Sequence, residues 1–211
     1  MSSAAQPYPI VHGLEVEDAK NALRSAIRTA RHARSPRLRE EAAHRFADVL
    51  ESIPEVAEAT CLAAYAARPY EPSTTVLLER LAARGAEILL PVLGAGLERG
   101  WASYAGADDL LERAPGRPPE PSTAAMGPEA LERATVVISP ALAVDSRGIR
   151  LGQGGGWYDR ALTFRRPDAF VVGLVFPEEL YAADRPLPRE AHDVAIDAVA
   201  TTEDWHTLPL V

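Results

Sequence analysis

Short apolar runs alternate along this chain with helical periodicities, and that alternation limits the fold more than any other feature. Residues 60–66, 87–90, 135–139, 169–176 and 194–200 read as strands, the second closed by Pro91. A helix is predicted over 17–34, with Leu23, Ile27 and Ala30 on one face. Ser35-Pro36 then supplies an N-cap and a proline at the first helical position, and a second helix follows with Ala42, Phe46 and Val49 as its stripe. Further helices are predicted over 74–84, ended by Gly85, and over 157–164. Residues 94–128 are rich in Gly and Pro and read as a long irregular connection with a short strand near 101–104. Strands alternating with helices predict an α/β domain of three layers, a mostly parallel sheet with helices on both faces, Rossmann-like in outline. The expected organisation is a loose leader over 1–16 and a single domain over 17–211.

A chain of 211 residues buries a core of its own without staples, and its single cysteine, Cys61, excludes an internal disulfide. Cys61 lies in an apolar run and reads as a small buried hydrophobe rather than a nucleophile. The first 14 residues lack the basic and apolar regions of a secretory signal, and no apolar stretch approaches the ~18 residues that span a bilayer, so a cytoplasmic protein is expected. A net charge of −8 argues against a nucleic-acid partner. Against that acidity, residues 20–45 hold eight basic side chains and two acidic ones. Lys20, Arg24, Arg28 and Arg31 recur at helical spacing and share one face, which reads as an exposed, solvated edge. Of the 22 basic side chains, Lys20 is the one lysine. Either chance left it, or the position wants a compact point charge rather than a planar fork.

The densest chemistry lies in residues 150–160, Arg-Leu-Gly-Gln-Gly-Gly-Gly-Trp-Tyr-Asp-Arg. Glycines between an extended segment and a helix let backbone approach a ligand closely, and a helix start offers free N–H groups to an anion. The spacing is not that of a dinucleotide fingerprint, because Trp157 stands in the third glycine slot, and no lysine follows as in a Walker loop. Arg150 and Arg160 offer charge for phosphate, Asp159 a carboxylate for magnesium, and Trp157 and Tyr158 flat faces for a planar ligand. Taken singly, Asp159 is equally a helix cap, and Trp157 and Tyr158 are equally core. The histidines at 12, 32, 44 and 206 lack metal-ligand spacing.

Asp145, Gly148 and the run from Arg150 to Arg160 together resemble the 5-formyltetrahydrofolate cyclo-ligase family, whose pattern is Asp-x-x-Gly-x-Arg-Leu-Gly-x-Gly-x-Gly-aromatic-Tyr-Asp-Arg. Matches in order extend the resemblance over roughly residues 20–203: Lys20-x-x-Leu23-Arg24, Glu71-x-x-Thr74, Glu120-Pro121, Val172-Gly173-Leu174, and Leu187-Pro188 with His192-Asp193. The resemblance implies an ATP- and Mg²⁺-dependent ligase that closes 5-formyltetrahydrofolate to 5,10-methenyltetrahydrofolate, releasing ADP and phosphate. It assigns ATP to Lys20, Arg24, Arg150, Gly152, Gly154, Gly155, Gly156 and Arg160, with Lys20 and Arg150 as the catalytic cations. It assigns the folate to Glu71, Trp157 and Tyr158, and magnesium to Asp159 and Asp193, with His192 the weaker neighbour. Small molecules are the expected partners, with no nucleic acid and no membrane, and the state a monomer or small homo-oligomer. Two positions depart from the pattern: Gly155, where some relatives carry lysine, and Trp157, where Tyr or Phe is usual. An ATP-using relative acting on another small amide, and a folate- or nucleotide-binding regulator without turnover, are the alternatives. Two metal carboxylates beside Lys20 weigh against a pure binder.

Overall fold

The computed structural model describes residues 7–11, 13–93 and 98–209. The first six residues of the leader, His12, the opening residues 94–97 of the long connection and the last two residues lie outside it. The helices are α1 (Val16–His32), α2 (Pro36–Glu51), α3 (Pro54–Glu58), α4 (Thr75–Ala83) and α5 (Trp157–Ala161). The strands are β1 (Cys61–Ala63), β2 (Glu87–Leu93), β3 (Arg99–Ser103), β4 (Val136–Pro140), β5 (Ala143–Asp145), β6 (Arg150–Leu151), β7 (Phe170–Leu174), β8 (Leu180–Tyr181), β9 (Ala198–Ala200) and β10 (Trp205–Thr207).

Seven of these strands form one sheet in the order β10-β9-β7-β4-β1-β2-β3, parallel from β9 to β2 and antiparallel at both edges. Continuous β-branched runs suit strands covered on both faces, and Val136, Val137, Ile138, Val171 and Val172 are fully buried. α2 and α4 pack together, and the turn at Leu162–Phe164 packs against both α5 and the turn at Pro128–Arg133. Phe46, Leu50 and Ile53 are fully buried around α2, each stabilising by about 1.5–3 kcal/mol relative to exposure. The chain runs from β1 to β2 in one direction and returns through β4 on the other side of β1. At such a reversal the loops leaving the carboxyl ends of the two central strands part and open a crevice.

Several predicted boundaries moved. The strand expected over 60–66 is confined to β1, and that expected over 194–200 to β9, because Ile196 donates its N–H to Gly148 rather than to the sheet. Pro91 does not close β2; it lies within it, opposite Trp101. Trp101 exchanges both backbone hydrogen bonds with Met126 on its far side, so the Pro91–Trp101 pair makes none and the missing N–H costs nothing.

A second, three-stranded sheet of order β6-β5-β8 has no counterpart in the sequence reading. α1 covers it through Leu23 and Ile27, joined by Tyr8, Leu142, Ile149 and Tyr181 in a separate core cluster. A buried ion pair fastens α1 there. Arg31 donates from Nε and Nη2 to the two carboxylate oxygens of Glu179 at 2.7 Å each, and from Nη2 to the Ala141 carbonyl at 2.7 Å. Arg31, expected on a solvated edge, is thus buried. Beside it, Arg34 pairs with Glu178 and lies 3.8 Å over the Phe176 ring.

Removing one member of a buried pair strands the other charge. Arg31→Met is expected to cost about 3 kcal/mol or more in urea unfolding, and Arg31→Met with Glu179→Gln to recover much of it. A single variant as stable as wild type would show that α1 is held by apolar contact alone.

Candidate functional site

The crevice at the strand reversal is lined by Tyr65 and Glu71 from the loop after β1, Val92 and Glu120, and Arg150, Trp157, Tyr158 and Asp159. The glycine loop forms one wall. Its conformation needs glycine at two points, Gly154 with φ +102° and Gly156 with φ +57°, where other residues would be strained.

Three arginines hold this loop by its carbonyls. Arg24 Nε donates to Gly152 at 3.1 Å, Arg28 Nη2 to Gln153 at 2.8 Å and Arg160 Nη2 to Gly155 at 2.5 Å. Among the described residues, no hydrogen bond engages the N–H groups of residues 152–156. The loop therefore carries a row of uncommitted donors in a cationic setting, a combination suited to an anion. Arg150 is buried next to it. Its Nη2 donates to Asp159 Oδ1 at 2.7 Å, and its Nε has no partner. An unsatisfied guanidinium N–H lining a crevice is a place where a bound acceptor gains most.

The aromatics are both wall and packing. Tyr158 is buried, and its hydroxyl donates to the Ala64 carbonyl at 3.3 Å. Burial pushes that hydroxyl far above its ordinary titration range, so it stays protonated. Trp157 meets Trp101 edge-on at 5.0 Å and Tyr158 at 4.9 Å. Glu71 accepts from Arg68 and, at 3.0 Å, from the Gln153 side chain. Gly155, the position of the first departure, has nothing within 4 Å of where a Cβ would stand.

Lys20 is not on a solvated edge, as its helical spacing suggested; it is 4% exposed. Its ammonium donates to Glu190 Oε2 and Asp193 Oδ2, at 2.7 Å each. Burial works against the charge, but the hydrogen bonds to Asp193 and Glu190 outweigh it and hold the ammonium above its usual range. The segment supplying both acids is fixed by Asp145, which is fully buried and accepts from the N–H groups of Arg147, Ile149 and Leu187. Asp145 thus joins the hairpin of β5 and β6 to the loop that faces Lys20. Glu190, His192 and Asp193 have ligand atoms within 4.8 Å of one another, the one such trio among the described residues. Lys20 and Asp193 come together, as do Arg150 and Asp159, while no hydrogen bond joins the two pairs. Glu190 was missed in the sequence; its spacing of three from Asp193 was the available signal. Cys61 is half-buried, and burial next to Glu87 pushes its thiol up to about 11, a poor nucleophile. No helix among the described residues is long and apolar enough to cross a membrane.

Comparison with known proteins gives a consistent result. Residues 16–202 match the 5-formyltetrahydrofolate cyclo-ligase family. A 5-formyltetrahydrofolate cyclo-ligase of Mycolicibacterium smegmatis is 34% identical over 189 residues, covering 87% of this chain and 93% of that protein. One from Escherichia coli is 30% identical over 179 residues, covering 83% and 96%. Among solved structures, the 5,10-methenyltetrahydrofolate synthetase of Aquifex aeolicus superposes with a TM-score of 0.75 at 26% identity, over 90% of this chain and 92% of that one. A synthetase from Mycoplasma pneumoniae shares the fold, with a TM-score of 0.67 at 18% identity, over 87% of this chain and 99% of that one.

The Lys20–Glu190 contact has a pH signature. Lys20 draws the Glu190 carboxyl below its ordinary 4.5. A depressed carboxyl contributes stability above that ordinary value and loses it as pH falls through the folded-state value. Glu190→Gln should therefore lower the melting temperature at pH 7, with the difference from wild type shrinking as pH drops below 4.5. Identical melting at pH 7 would show the contact to be idle.

Proposed function

Because this chain belongs to the 5-formyltetrahydrofolate cyclo-ligase family, we propose that it uses ATP to close 5-formyltetrahydrofolate to 5,10-methenyltetrahydrofolate, releasing ADP and phosphate. The observation that carries this reading is the glycine loop: carbonyls tied back to Arg24, Arg28 and Arg160, N–H groups free for phosphate.

The chemical problem is a formyl oxygen that leaves poorly from carbon. Transfer of the terminal phosphoryl group of ATP to that oxygen makes it a phosphate ester. N10 then attacks the formyl carbon, the N10–C bond forms, the C–O bond breaks with loss of phosphate, and N10 gives up its proton. Phosphoryl transfer needs positioning and charge neutralisation more than covalent help. The loop N–H groups would seat the phosphates, with Arg24, Arg150 and Arg160 around them. Lys20 would exchange a carboxylate for a phosphate oxygen, a move a compact, rotatable ammonium makes more easily than a planar guanidinium. Arg160, reaching back to Gly155, would bring charge to the position where some relatives carry lysine. Glu71, Trp157 and Tyr158 would border the folate, the aromatics offering flat faces to its ring.

Magnesium fits the donor chemistry of the two aspartates. Asp159 Oδ2 and Asp193 Oδ1 accept no hydrogen bond among the described residues, and carboxylate oxygens are the ligands a hard cation prefers. Asp159 and Asp193 would hold Mg²⁺, which would supply charge neutralisation.

The test is turnover. Protein mixed with 5-formyltetrahydrofolate, ATP and Mg²⁺ is expected to yield the methenyl product's absorbance and one ADP per product. Lys20→Arg should cut kcat/KM at least about tenfold, worth ~1.4 kcal/mol of transition-state stabilisation. Because Lys20 is buried, circular dichroism must show that the variant is folded. ATP consumption without product, or product without ATP, would overturn the reading.

A further inference from the structure

Two loops face each other across the crevice, residues 68–71 after β1 and the glycine loop, and Gln153 joins them. Its Nε2 donates to Glu71 Oε1 at 3.0 Å, while its Oε1 accepts from Arg28 Nε at 3.1 Å and Nη2 at 3.0 Å. Both ends of the amide are used. Turning it over would aim N–H groups at a guanidinium and an oxygen at a carboxylate, so the side chain has one orientation.

The loop on the far side of this bridge is already set in shape. Glu71 N–H closes a turn onto the Arg68 carbonyl at 3.1 Å, with Tyr70 inside it at φ +71°. That left-handed conformation is strained for a non-glycine residue and persists only where the surroundings enforce it. Here the Tyr70 ring is stacked on His32 at 3.9 Å and lies under Arg39 at 4.6 Å. The Glu71 carboxylate takes the Arg68 backbone N–H at 2.9 Å and its guanidinium at 2.8 Å. Residues 68–71 are therefore fastened to one another, and Gln153 is their hydrogen-bonded tie to the glycine loop.

We infer that Gln153 is a positioning residue that couples the two substrate sites, so that nucleotide on the glycine loop tightens folate binding at Glu71, and folate tightens nucleotide in return. The inference rests on the reading of these loops given above. The family pattern leaves residue 153 unspecified between Gly152 and Gly154. Phosphate seated on the loop N–H groups fixes the backbone of residue 153. Arg28, gripping both that carbonyl and the side-chain amide, passes the constraint to Glu71. A coupling between two ligands is reciprocal and commonly about 5- to 150-fold.

The experiment measures 5-formyltetrahydrofolate Kd with and without a non-hydrolysable ATP analogue and Mg²⁺, for wild type, Gln153→Ala and Gln153→Glu. The glutamate keeps an acceptor for Arg28 and sets a carboxylate against Glu71. In wild type the nucleotide should lower the folate Kd about fivefold or more, and in both variants the ratio should fall below about twofold. Melting temperatures within about 3 °C of wild type would confirm that the variants are folded. A merely structural role would weaken both Kd values in parallel and leave the ratio intact; that result, or a wild-type ratio of one with both ligands bound, overturns the coupling. If wild type binds neither ligand, the functional reading fails and the inference with it.

Discussion

Helix α1 meets the rest of the protein through cations as well as through Leu23 and Ile27, and the candidate site takes its shape from how those cations are spent. Arg31 is consumed at the far end by Glu179, where burial makes the pair costly to break and so fixes the helix in place. With that end anchored, Arg24 and Arg28 arrive at the carbonyls of the glycine loop, and Lys20 arrives between Glu190 and Asp193. Peptide carbonyls turned toward one side leave their N–H groups for another. The direction of the loop's free N–H groups is thus set by the helix that grips its carbonyls as much as by its glycines.

The same logic explains why the site stands where it does. The strand reversal at β1 opens a crevice that any sheet of this order would have. What makes it specific is the second sheet of β5, β6 and β8, which carries Arg150 out of the main layer and, through Asp145, brings the 187–193 segment up to Lys20. Cation and acid are paired throughout: Lys20 with Asp193, Arg150 with Asp159. On the reading proposed above, a triphosphate and a divalent cation entering together would replace each partner with one of like sign.

Much of this was legible in the residues. Continuous β-branched runs marked β4 and β7, the proline after Ser35 marked the start of α2, and the glycine run with its flanking charges marked one wall of the crevice. Elements of two or three residues, such as β6 and β8, are too short to show a period, so the second sheet was invisible. Pro91 misled because its cost depends on which neighbour its missing N–H would have faced, a matter of pairing rather than local sequence. Lys20 was read as solvated because its partners lie 170 and 173 positions away, and helical spacing says nothing of what packs on a face. Gln153 carried no signal at all; only the meeting of two loops gives it work.

On the function proposed above, α1 and the glycine loop together form a phosphate seat from which Lys20 operates. A crystal structure with a non-hydrolysable ATP analogue, Mg²⁺ and 5-formyltetrahydrofolate tests it directly. Phosphate oxygens are expected against the N–H groups of residues 152–156. Lys20 Nζ is expected to have moved from Glu190 onto a phosphate oxygen, with Asp159 and Asp193 reaching one metal directly at ~2.1 Å or through its waters. Nucleotide bound elsewhere, with Lys20 still held between Glu190 and Asp193, would contradict it.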